Sequence, residues 1–176
     1  SAAGLVENFD QRGRAEPFRH YASLAATSAF TSAGDLVAFL RSQWPAGQDV
    51  GAAPLSAATL AEMRRPHAAS FGADIWGLGV MLYAPYGSGD FIVGHDGNNE
   101  PAINTAARLD PGSGDGIIVL ETGSALLATR LAGEWVYWKT GYVDNLAFMI
   151  GLDGALRLAA IGASLILLLG LFGTWC

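Results

Sequence analysis

Two short runs hold residue types that can do chemistry. The first is Gly94-His-Asp-Gly97, followed by Asn98 and Asn99, where an imidazole and a carboxylate stand between glycines. Glycine leaves the backbone clear of side chains, so a ligand can reach its N–H and C=O groups. The histidine can then hydrogen-bond, or exchange a proton with, whatever docks there. A turn in which Asp96 bonds its own backbone is the plainer alternative for the same residues. The second run is Lys139-Thr-Gly141, around the only lysine of the chain. His20 and His67 sit in arginine- and proline-flanked stretches with no partner at ligand spacing, and read as surface loop residues. Cys176 is the single cysteine, which excludes an intrachain disulfide and a cysteine metal site. No metal or organic cofactor is implied.

The element carrying the first run is a strand. Phe91-Ile-Val93 is β-favouring, and Asp90 to Val93 follows Ile75 to Tyr83 across Pro85-Tyr-Gly-Ser-Gly89, a hairpin-like link. Gly77 and Gly79 inside the earlier stretch allow a bend. Ile103 to Leu109 and Ile117-Ile-Val-Leu120 flank the turn Asp110-Pro-Gly-Ser-Gly-Asp-Gly116, so four strands with tight connections predict an antiparallel sheet. Before them the residues predict two small helices and no strand. One opens at Thr31-Ser32 with Asp35 as the acid of a capping box and stops at Trp44-Pro-Ala-Gly47; the other begins at Pro54-Leu-Ser56, runs from Ala57 to Met63 and is capped by Ser56. Ser1 to Tyr21 shows no sustained period and reads as loop.

After the strands, apolar residues at 127, 131, 135 and 138 have helical spacing within Ser124 to Trp138, and Gly141 is placed to end that helix. The helix is expected to pack across the sheet. Lys139-Thr-Gly141 then falls at its end, where a lysine meets the negative pole of the dipole. Trp135, Tyr137 and Trp138 fit either an aromatic belt at a membrane surface or helix packing.

The chain has 176 residues, 51% of them hydrophobic and 15% charged, which excludes a disordered protein. A formal charge of −6, with 10 basic residues scattered, argues against nucleic acid as a partner, because phosphates are met by a basic face. From Leu158 to Cys176 no residue is charged, and the stretch is apolar on every side. A bilayer core needs about 20 such residues in a helix. Residues 151–176 are therefore read as a membrane-spanning tail in contact with lipid, and 1–150 as the domain it tethers. A buried core helix is the alternative, although such helices usually keep a polar face.

The order of these segments resembles the C-terminal half of the serine β-lactamase-related hydrolases: class C β-lactamases, D-alanyl-D-alanine peptidases and esterases. The resemblance is carried, within residues 15–140, by Tyr21-Ala-Ser-Leu-Ala-Ala, Phe30-Thr-Ser-Ala-Gly-Asp-Leu-Val-Ala-Phe-Leu40, Leu55-Ser-Ala-Ala-Thr-Leu-Ala-Glu-Met63, Trp76-Gly-Leu-Gly79, Gly94-His-Asp-Gly-Asn-Asn-Glu100 and Gly116-Ile-Ile-Val-Leu120. It implies an α+β fold, the C-terminal part of a β-lactamase-like, transpeptidase-like domain with an antiparallel sheet and flanking helices, followed here by the transmembrane helix. It also implies acyl transfer to a serine and then hydrolysis of an amide or ester. His95-Asp96-Gly97 takes the place of the family's third motif, with His95 lining the site, Gly97 beside it and Asn98 giving its backbone N–H to the oxyanion. Such a donor contributes about 3 kcal/mol to the transition state. Asp96 and Asn99 are the candidate substrate-binding residues; relatives often have a glycine where Pro101 stands here.

Two family motifs are missing. The residue three before Lys139 is Val136, so no Ser-x-x-Lys occurs, and none of the five tyrosines begins a Tyr-x-Asn. Lys139-Thr-Gly141 matches a family triad as a string, but on a helix end rather than a strand. The chain is accordingly expected to be the C-terminal portion of a longer membrane-tethered hydrolase, inactive alone. Its substrate would be a small molecule, peptide or ester, and its domain would face the periplasm or cell exterior. A separately made N-terminal chain could complete the active site. The competing reading is a non-catalytic module of the same fold that binds a peptide or protein at a membrane.

Overall fold

The computed structural model describes residues 4–27, 29–43, 55–70, 72–87, 89–99, 102–124 and 126–175. The expected helix stop at Trp44 to Gly47, Pro54, and the Glu100-Pro101 step lie outside them. The architecture is α+β: β1 (Asn8–Phe9), β2 (Ala15–Glu16), α1 (Leu24–Thr27), α2 (Ala33–Ser42), α3 (Ala57–Met63), β3 (Ala68–Ser70), β4 (Ala73–Trp76), β5 (Met81–Tyr86), β6 (Asp90–Asn99), β7 (Ile103–Leu109), β8 (Gly116–Thr122), α4 (Leu127–Thr140) and α5 (Asn145–Trp175). β3 to β8 form one antiparallel meander in chain order, while β1 and β2 pair separately.

The helix starts follow from local chemistry. Ser32 accepts the Asp35 N–H at 3.1 Å and the Asp35 carboxylate accepts the Ser32 N–H at 3.3 Å, completing the expected capping box of α2. Ser56 accepts the Thr59 N–H at 3.1 Å and opens α3.

Several expectations needed correction. A strand pair precedes the helices, because Asp10 accepts the N–H groups of Arg12 and Arg14 and Gly13 takes a φ of 73°, folding 8–16 into a hairpin. The stretch 75–83 is two strands rather than one. Gly79 at φ 71° turns the chain there, and the Gly77 N–H closes the turn on the Val80 carbonyl at 2.9 Å. With β3 added, the sheet has six strands instead of four. β6 does not end at Val93 but continues through the glycines to Asn99, held by an unbroken register against β7 from Val93↔Leu109 to Asn99↔Ile103.

The sheet buries both faces. On one, Leu40 of α2 packs with Val80, Leu82, Val93 and Leu109. On the other, Val136 of α4 packs with Met81, Tyr83, Ala84 and Ile92, and Ala128 and Ala132 lie over Ala106. The face that α4 turns inward is not the expected one. Ala128, Thr129, Ala132, Gly133 and Val136 are buried, whereas Leu127, Leu131 and Trp138 are exposed. The sheet surface beneath already carries the bulk of Arg108, Tyr83 and Asn104, so small helix residues fit against it and large ones stay outside. Trp135 packs partly against the core, while Tyr137 and Trp138 point away from it. At its N-terminus α4 lacks a side-chain cap of its own, Leu126 standing at φ 65°. Asn104 of β7 supplies one from the sheet, accepting the Thr129 N–H at 3.2 Å.

α5 follows after four residues. Asp144 caps it by accepting the N–H groups of Leu146 at 2.7 Å and Ala147 at 3.1 Å. Residues Asn145–Gly173 are long and apolar enough to cross a membrane, and their most apolar window is 0% buried. That helix is compatible with membrane anchoring. It begins at Asn145, with the Asp153–Arg157 pair (2.9 Å) on its flank before the charge-free part.

Candidate functional site

The strand β6 carries every residue singled out at the motif. Since side chains alternate along a strand, its regular register puts His95, Gly97 and Asn99 on one face and Asp96 and Asn98 on the other. Of the first group, His95 and Gly97 line a cavity of about 330 Å³ between α2 and the sheet, whose walls include Leu36, Phe39, Val80, Gly94, Thr105 and Leu120. His95 is exposed at its edge, with the Trp76 ring centroid 6.0 Å away. Its Nδ1 lies 2.7 Å from the carbonyl oxygen of Asp96. Gly97 faces Thr105 across the ladder, and a Cβ at 97 would come within 2.6 Å of the Thr105 hydroxyl. The missing side chain therefore opens the floor of the cavity beside that hydroxyl.

The backbone here is paired on one side by described strands. β5 pairs with β6 only from Asp90 to Gly94, while β7 pairs with it through Asn99. Among the described residues, 95–99 thus have a strand partner in β7 alone. Asn98 is exposed and Asn99 half-buried on this stretch.

Asp96 turns the other way, into the protein. Arg108 grips its carboxylate with two nitrogens, at 2.9 and 3.0 Å, and the Tyr83 hydroxyl donates to it at 3.2 Å. The same guanidinium donates to Asp144 at 3.1 Å and lies 3.3 Å from the centre of the Tyr83 ring. Arg108 and Asp144 are fully buried, so the cluster is an ion network held in low dielectric. Burial works against the Arg108 charge, but Asp96, Tyr83 and Asp144 outweigh it and hold the guanidinium more firmly protonated than usual. Burial pushes the Asp144 carboxyl up, and Arg108 and the N–H groups of Ala147 and Leu146 act against that shift. The Tyr83 phenol is driven well above its ordinary range, chiefly by burial. The structure therefore separates Asp96 from His95, giving one to the interior and one to the cavity. Arg108, Tyr83 and Asp144 escaped sequence reading; the only trace of Arg108 was a charge inside the apolar alternation of Ile103 to Leu109.

Lys139-Thr-Gly141 lies at the end of α4, far from any strand role. Lys139 bonds Asp115 at 2.6 Å and Asp110 at 3.3 Å, tying the helix to the β7–β8 turn. Gly141 takes φ 76° as the helix cap, its N–H reaching the Tyr137 carbonyl at 2.8 Å. His67 sits at the end of α3 against Glu62, and His20 packs edge-on to Phe18.

Comparison with protein-family models, curated proteins and solved structures found no match.

Proposed function

We propose that this chain is the C-terminal part of a membrane-tethered serine hydrolase of the β-lactamase-related family, with 1–150 in the hydrolase domain and 151–176 as its spanning tail. One observation carries the reading. His95-Asp96-Gly97 stands on a strand that, among the described residues, has no strand partner on one edge from 95 to 99 and that borders an apolar cavity. An open edge offers backbone N–H groups to a substrate, and the Asn98 N–H would receive the oxyanion of a carbonyl attacked beside Gly97. His95 lines the pocket wall, Asn99 meets the substrate further along, and Asp96 braces the strand from behind through Arg108.

The nucleophile comes from outside this chain. In the complete enzyme a serine oxygen attacks an amide or ester carbonyl while its proton passes to a neighbouring base. The tetrahedral intermediate expels the amine or alcohol, leaving an acyl-enzyme that water hydrolyses. An N-terminal portion with Ser-x-x-Lys and Tyr-x-Asn, in the same polypeptide or in a paired chain, would supply that chemistry on the His95 face. Anchoring by the apolar tail would hold the domain at the membrane, on the periplasmic or extracellular side.

The same open edge also suits a non-catalytic module, which would bind an extended peptide as an added strand. A fluorophosphonate or penicillin probe separates the two. The intact precursor should be labelled covalently and this chain alone should not. A folded precursor that stays unlabelled by both probes would sink the hydrolase reading and leave the binding module.

A further inference from the structure

The cavity beside His95 also carries chemical information about its occupant. A backbone carbonyl oxygen only accepts hydrogen bonds, so the 2.7 Å contact from Nδ1 to the Asp96 oxygen requires the hydrogen to sit on Nδ1. In the neutral ring Nε2 is then a bare lone pair, and it has no partner among the described residues. A bare lone pair accepts from a hydroxyl or N–H and repels a carboxylate. A second observation points the same way: among the described residues no lysine or arginine lines the cavity, whose polar lining there is Gln43, His95, Asp96 and Thr105. Arg108 is committed to Asp96 and Asp144 on the far face and Lys139 to Asp110 and Asp115, while Arg41 and Arg64 follow Leu40 and Met63 of the lining without joining it. The remaining walls are apolar, and the chain carries a formal charge of −6.

We propose that the His95 cavity selects an uncharged ester or amide whose otherwise apolar skeleton carries a hydroxyl or N–H that donates to His95 Nε2, and discriminates against substrates bearing a carboxylate there. This deepens the hydrolase reading and rests on it only for the word substrate. Of the three classes that share the resembling scaffold, a β-lactam and a peptide C-terminus each bring a carboxylate. A neutral ester or amide does not. An anion entering this cavity would lose its water and meet no cation, a penalty that a hydroxyl or N–H avoids.

The test uses the full chain in phosphatidylcholine nanodiscs, with nitrogen-15 in its histidines and His95→Gln to assign the resonances. Nδ1 of His95 should give the protonated, pyrrole-type signal and Nε2 the bare, pyridine-type one. Two probes with one carbon skeleton, 3-phenylpropanol and 3-phenylpropionate, are then titrated. The alcohol should shift the Nε2 signal saturably and bind about tenfold or more tightly than the carboxylate, the difference of roughly one hydrogen bond. His95→Lys should reverse that preference. A proton on Nε2, equal or tighter binding of the carboxylate, failure of the alcohol to bind, or an unchanged preference in His95→Lys would each overturn the proposal. None of these readouts needs a serine, so they stand apart from the labelling of the precursor.

Discussion

At position 94 a methyl group would run into the Ala107 carbonyl, a backbone atom fixed in the β6–β7 ladder, whereas at 97 it would meet only the Thr105 side-chain hydroxyl. The two glycines of one motif therefore serve different ends. Gly94 permits the close approach of two strands, and Gly97 clears a space above one. Gly94→Ala should cost about 3 kcal/mol or more in unfolding free energy, and Gly97→Ala about 1 kcal/mol, since the threonine can rotate away. Chemical denaturation of both variants measures this, and equal losses would contradict the assignment. Asp96 makes a similar point about neighbours. It is one residue from His95 in sequence but engages Arg108 and Tyr83 on the opposite face.

Among the elements, α4 depends on residues it does not contain. Asn104 caps its start from the sheet, and Asp115 and Asp110 receive Lys139 near its end. The hydrogen bond from Lys139, then that from Ser113, holds the Asp115 carboxyl below the ordinary range, while Asp115 raises the Lys139 ammonium. An acid whose folded-state value is depressed stabilises the fold above its unfolded value and loses that stability as pH falls through the folded one. For Asp115 the window lies at and below the ordinary carboxylate range. Thermal unfolding of Asp115→Asn should therefore show a lower Tm than the parent at pH 6 and a smaller gap at pH 3. A gap that is constant or widens on acidification would remove the ion pair from the account. The effect should be small, since Asp115 is exposed and salt screens such pairs.

For the whole molecule, the long helix is fastened to the sheet rather than hung from a linker. Asp144 caps α5 and is itself held by Arg108, whose other partner braces the strand of His95. A buried arginine thus ties the long C-terminal helix to the back of the candidate site. If 158–175 lies in lipid, an arginine near its centre should cost about 3 kcal/mol of insertion free energy. Leu165→Arg with Leu168→Arg should release much of the chain from membranes on carbonate extraction, while the parent stays in the pellet. A parent chain extracted as readily as the variant would show that the helix packs against protein instead.

The sequence alone determined what local chemistry controls: the hydroxyl and acid that start α2, the serine that starts α3, the glycine that ends α4, the turns that make the sheet antiparallel, and the uniformly apolar tail. Each rests on residues within a few positions of one another, so neighbouring side chains and backbone suffice to specify it. The motif on β6 was legible as a clear backbone carrying a histidine, though not as a strand running on to Asn99, because only pairing with β7 keeps glycines extended. The faces were decided by the tertiary structure. Leu127, Leu131 and Trp138 read as the inner stripe of α4, yet bulky residues of the sheet already filled that space and small ones were turned inward. Arg108 met Asp144 across 36 positions and Asp96 across 12, contacts that no local pattern records. Those contacts divided Asp96 from His95, because which side of a strand is interior depends on what the rest of the chain packs against it.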